Sequence, residues 1–203
     1  MKQLLLLIPL FFGFFVFSQG TQCDTADPFC SSDAFTFPNN YSGNNAENGP
    51  DYGCLETVPN PAWYFLYIDN SGTLSFSISQ VSDSGQGIDV DFICYGPFTD
   101  PYAACQANLT SQNIVACSYS LSATENFTIP NAISGEYYIV LITNFSGEEG
   151  NITFQQTNVN QANAGSTDCS IVCTVEVPDD TSVCLNTNYT ITTTLGNQSM
   201  EDT

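Results

Sequence analysis

Between residues 20 and 160 the chain consists of short runs of aromatic and β-branched residues, set between clusters of Gly, Asn, Asp, Ser and Pro. That pattern predicts antiparallel β structure. Residues 63–68 (WYFLYI) read as a buried or half-buried strand. Over 74–78, strict alternation puts Leu74, Phe76 and Ile78 on one face, which is the period of a strand. The intervening Asp69-Asn70-Ser71-Gly72 supplies side-chain turn hydrogen bonds and a conformationally free glycine, so the two strands are expected to form a hairpin. A Ser/Gly-rich loop over 82–87 feeds a strand at 88–95, with Ile88, Val90 and Phe92 inward and Asp89 and Asp91 on the outer face. Gly96-Pro97 is expected to end that strand, and 99–112 is expected to be a loop carrying Cys105.

Shorter strands are predicted at 113–118 and 126–129. The near-continuous apolar run at 136–142 suits a central strand covered on both faces, and a turn at 144–150 leads to a further strand at 151–154. No stretch shows sustained helical periodicity. About eight strands in roughly 140 residues predict an all-β fold, a jelly-roll-like antiparallel β-sandwich with room for a sizeable core. Residues 161–168 have linker composition. Two strands are expected beyond them, at 171–177 and 189–195, as the start of a second, immunoglobulin-like or PKD-like domain over 169–203 that stops short of completion. A flap folded back on the first domain is the alternative. The organisation expected is therefore a leader at 1–18, a sandwich at 19–160, a linker and a truncated repeat.

The leader rests on its own pattern. Lys2 gives a one-charge start, residues 4–17 are apolar, and Val16 and Ser18 stand three and one residues before Gln19, the expected cleavage point. About 14 apolar or small residues fall short of the ~20 that cross a bilayer, so a cleaved export signal is favoured over an anchor, and no transmembrane segment is expected. The chain is thus expected to be secreted or at the cell surface.

Charge then excludes more than it suggests. Lys2 is the one basic side chain, histidine is absent, and Asp and Glu number 21, so loss of the leader leaves a formal charge of −21. With no cationic group, direct contact with nucleic acid or anionic membrane is excluded. Ser-His and Cys-His nucleophile pairs, Schiff-base lysines and arginine phosphate clamps are excluded with it, and the chain is expected not to be an enzyme. All nine cysteines lie beyond the leader, as disulfide candidates in an oxidising compartment. Six precede residue 160 and three follow it, which suggests one complete set and one incomplete one. The pairing expected is Cys30–Cys54 and Cys105–Cys117, with Cys23 and Cys94 unassigned.

The succession AWYFLYI, GTLSFSI, IDVDFICYGPF, TENFTIPNA, SGEYYIVLITNFSG and GNITFQQ resembles the bacterial pre-peptidase C-terminal type β-sandwich, with its Trp strand, DxDxY-like strand and GxYYxxV strand. The segments DPFCSSDAFTFPN, GCLETVPNPAWYF and CSYSLSATE resemble more closely the N-terminal module of large flavobacterial-type surface proteins. There such a module precedes immunoglobulin-like or PKD-like repeats and a type IX secretion sorting domain, in proteins often labelled gliding-motility associated. The resemblance spans about residues 20–160. It implies a surface location and an adhesive or spacer role, and it carries over no catalytic residue. The absence here of a completed repeat array and of a sorting domain is read as the mark of a fragment.

Three groups of residues carry candidate chemistry. Asp89 and Asp91, about 6–7 Å apart on one strand face, together with Asp83 and the 84–87 loop, can offer oxygens to Ca²⁺, which takes about six to eight. The plainer reading is a pair of solvated carboxylates, and the spacing is not that of an EF-hand, because the twelfth residue from Asp83 is Cys94. The same pair is ill placed for glycoside hydrolysis, which needs carboxylates on opposite sides of the scissile bond. Among many aromatics, Tyr102 and Tyr119 stand in or beside loops and are the candidates to stack on sugar rings, while most others are expected in the core. The partner expected is an extracellular polysaccharide or a surface protein, or none if the module is only a structural cap.

Overall fold

The computed structural model describes residues 20–31, 34–171, 192–195 and 198–201. The expected leader lies outside these residues, as does most of the expected truncated repeat. Two sheets face each other. One follows the order β1 (Asp27–Phe29), β3 (Pro61–Asn70), β8 (Tyr137–Asn144), β5 (Val90–Phe98), β6 (Ile114–Ser118), with β10 (Ser166–Thr167) also pairing to β3. The other runs β2 (Phe35–Pro38), β9 (Gly150–Gln156), β4 (Gly72–Ser82), β7 (Thr124–Ala132). Every pairing is antiparallel except β1 with β3. This is an all-β sandwich. Thr192–Leu195 and Gln198–Glu201 pair with one another as a short antiparallel ribbon.

Alternation within each strand decides which side chains meet between the sheets. Leu66, Ile68, Phe76, Ile78, Phe92, Val140 and Phe154 form one buried cluster. Phe127 is the centre of its aromatic part, stacked on Phe76 at 5.0 Å and on Phe92 at 4.8 Å between ring centroids. Each such side chain withdrawn from water contributes about 1.5–3 kcal/mol. The six-stranded sheet buries its other face as well, with Trp63, Phe65, Ile93, Tyr95, Ile139 and Leu141 in a second cluster. Leu55, Val58, Ala104 and Leu109 cover that face from the preceding loop and from a short helix. The expectation of a central strand covered on both sides is met by β8, which runs between β3 and β5.

Several local expectations are corrected. The 63–68 and 74–78 strands do not form a hairpin, because β3 and β4 lie in opposite sheets. The chain after β9 takes the place a hairpin partner would occupy: Ser166 pairs with Asn70, and Ala164 bridges to Thr73. Gly72 makes room for it, since a β-carbon there would stand 2.4 Å from the Gly165 nitrogen. Gly96-Pro97 does not end β5, which continues to Phe98 through a register shift after Tyr95. Part of the expected 99–112 loop is a helix, α1 (Pro101–Ala107), whose N-cap Asp100 accepts from the Tyr102 and Ala103 amides at 2.8 and 3.1 Å.

The disulfides differ too. They join Cys23–Cys105, Cys30–Cys169 and Cys54–Cys117, so both expected pairs are replaced. The sheet order gives the reason: Cys54 passes over the outer face beside β6, and its Cα lies 6.0 Å from that of Cys117. Cys94 points into the inner core as a free thiol. Cys169 belongs with Cys30 of the first sandwich, so the division into six cysteines and three does not mark a break between units. The 161–168 stretch, expected as a linker, supplies β10 to the edge of β3.

Candidate ligand surfaces at the two ends of one strand

The sequence candidates fall at opposite ends of β5, on the outer face of the six-stranded sheet. At the start of β5, Asp91 shares the face of Ile93 and Tyr95, and that face is covered, so Asp91 is only 1% exposed and is not a solvated carboxylate. Its Oδ1 accepts the Ser120 amide at 2.9 Å, while Oδ2 is buried with no partner. Asp89 stands just before the strand, and its Oδ1 is likewise buried and unpartnered. Glu125, also buried, accepts the Ser120 hydroxyl. Burial pushes the Asp91 carboxyl up to about 6, opposed by the Ser120 amide and reinforced by Asp89 and Glu125; burial also raises Asp89.

Asp89 and Asp91 line a hollow of about 220 Å³ with Tyr119, Ser120, Leu121 and Phe145. Two loops hold it. In one, Ser122 accepts the Val90 amide through its carbonyl and donates its hydroxyl to the Thr124 carbonyl. In the other, the buried Asn144 side chain donates to the Asn40 and Glu148 carbonyls and accepts from Gln80, fixing the turn that carries Phe145. Tyr119 and Phe145 meet edge to face at 5.7 Å. Leu121 is 92% exposed at the mouth.

Asp83 is not part of this hollow. Its amide donates to the Glu149 carbonyl at 3.3 Å, and its charge acts on Tyr41. The three aspartates expected to share a cation therefore do not converge, and among the described residues no group of three or more metal-binding side chains does.

Tyr102 and Tyr119 do not come together either. Tyr102 sits on α1, half exposed, beyond the other end of β5. There Tyr67 and Tyr137, paired across the β3–β8 ladder, lie with ring centroids 4.6 Å apart. The buried Phe65 backs both sides of the group, 6.2 Å from Tyr137 and 5.9 Å edge-on from Tyr102. Partial burial, then Tyr67, Asp100, Asp168 and Tyr102, raises the Tyr137 phenol above its ordinary range. Sequence reasoning passed over Tyr67 and Tyr137 because both lie inside strands. The signal available was the period-two placement of Tyr67 with Phe65, opposite to Leu66 and Ile68, and of Tyr137 with Ile139.

A second hollow, of about 300 Å³, includes Ser31, Asn70, Gln156 and Thr167 in its lining. Its buried groups serve each other: Ser31 Oγ donates to Gln156 at 2.6 Å, and Gln156 donates to the Gly165 carbonyl at 2.9 Å. It has neither a charge nor a ring to offer a ligand.

No protein-family model matches the chain, and no curated protein does. Among solved structures, the pre-peptidase C-terminal domain of a collagenase from Bacillus anthracis aligns over 65% of this chain and 94% of that chain, with 10% identity and a TM-score of 0.37. It is the kind of domain that the strand motifs resemble. No helix among the described residues is long and apolar enough to cross a membrane.

Proposed function

We propose that this chain is a non-catalytic extracellular module of a secreted or surface-attached bacterial protein of the flavobacterial type, and that it contacts a neutral polysaccharide through Tyr67, Tyr102 and Tyr137. The observation that carries the reading is the grouping of these three rings, none fully buried, on one outer face. Flat rings offer a pyranose face the apolar contact it needs, and phenols and neighbouring carboxylates accept and donate around its edge. The polymer is neutral because a chain with 21 acidic side chains and one basic one repels polyanions. Three disulfides suit the oxidising exterior in which such a module works.

The test is retention of the oxidised, leaderless chain on a panel of insoluble neutral and anionic polysaccharides, with Ca²⁺ and again with EDTA. Retention on a neutral polymer that is lost in Tyr67→Ala and Tyr137→Ala supports the reading. Failure to bind any polymer in either buffer would leave a structural cap of a repeat stalk as the better description.

A further inference from the structure

We propose that the hollow at the start of β5 is a receptor for a primary alkylammonium group, the side chain of a lysine on a partner protein. Two carboxylates form its floor, and the chain has nothing of its own to neutralise them. Asp91 is 1% exposed, lines the hollow, and keeps Oδ2 without a hydrogen bond; Asp89 Oδ1 is buried and unpartnered beside it. A carboxylate withdrawn from water without a partner is costly. Lys2 is the only basic residue of the sequence and lies in the expected leader, so no side chain of the leaderless chain supplies a counter-charge.

The walls decide which cation. A hard metal ion takes about six to eight oxygens, yet one Asp91 oxygen is committed to the Ser120 amide and no group of three metal-binding side chains is present among the described residues. The mouth is apolar, made by Leu121, Phe145 and the ring of Tyr119. That is the lining a methylene stem requires, with its charged head carried inward to the carboxylates. An ammonium brings three donors, and the two aspartates that line the hollow each keep an acceptor without a partner. The edge-to-face rings of Tyr119 and Phe145 add a π surface beside the cation. An amino sugar brings the same charge but surrounds it with hydroxyls, which suit Leu121 and Phe145 poorly.

The oxidised, leaderless chain is titrated with Nα-acetyl-lysine N-methylamide, with its norleucine analogue, with glucosamine and with CaCl₂, each followed by proton–nitrogen correlation spectra. The lysine compound is expected to shift the Asp91, Ser120 and Leu121 amides saturably, and the norleucine and glucosamine compounds far less. Asp89→Asn and Asp91→Asn, isosteric changes of which the second leaves an oxygen for the Ser120 amide, are each expected to weaken lysine binding about tenfold or more. Absence of a saturable shift overturns the proposal, as does equal binding of norleucine or of glucosamine. Calcium that moves the same amides and is not displaced by the lysine compound overturns it in favour of a metal site.

Discussion

Tyr67 and Tyr137 face each other across the β3–β8 ladder with ring centroids 4.6 Å apart. Both are half-buried, and among the described residues neither phenol makes a hydrogen bond, so the pair stands ready-made for a planar ligand. Replacing either ring by alanine is expected to cost about 1 kcal/mol of polymer binding, or about fivefold in affinity. Tyr137→Phe, which keeps the ring, should lose less than half of that. Depletion binding isotherms on the retained polysaccharide check both.

The buried Asp91 carboxyl gives a pH dependence of definite sign. Its folded value is about 6, above the ordinary 3.8, so the native state holds the proton more tightly than the unfolded chain. Stability from this group is therefore fully present below about pH 4, declines as pH rises through the window to about 6, and is absent above it. Asp91→Asn should remove that slope and stabilise the chain at pH 7.5 by about 1–2 kcal/mol, with little effect at pH 4. Urea midpoints of the two proteins at both values decide the matter, because the general self-repulsion of the acidic chain is nearly common to them.

Gly96 passes against the face of Tyr138. An added β-carbon would stand 2.4 Å from the ring, and the glycine's φ of +152° is one that other residues rarely adopt. Gly96→Ala is expected to cost about 2–3 kcal/mol. A guanidinium midpoint lowered without a change of slope would show that the native fold, not its compactness, bears the cost.

How far all this was legible in the sequence depends on which interaction wrote the signal. Alternation over Leu74, Phe76 and Ile78 reports a strand with one buried face, and that is what β4 is. The turn residues 69–72 report a reversal, but nothing local states which sheet the chain re-enters; the 164–167 segment decides that, some ninety residues later. The helix at 101–107 is two turns long, too short for periodicity, and its one sign was Asp100 before Pro101. Asp91 was assigned to the correct face and the wrong environment, because parity tells which way a side chain points and not what loop has folded over it. Likewise Tyr102 and Tyr119 were singled out for lying near loops, and they belong to different surfaces.

The Cys30–Cys169 bond closes a loop of 139 residues, which restricts the unfolded chain more than either of the other two bonds does. Removing it as Cys30→Ser with Cys169→Ser is expected to cost about 3–5 kcal/mol. The change in unfolding midpoint between the oxidised parent and the double variant measures it.

That bond also has a mechanical meaning. A load applied at residues 30 and 169 enters at one sulfur and leaves at the other, along a covalent path that bypasses the strands between them. The intervening chain, with a sequence separation of 139 and a length of roughly 480 Å if drawn straight, cannot be paid out under tension. Whatever pulls on these two residues can tilt the module or detach it from a ligand, but cannot unravel the strands between them while the bond is intact.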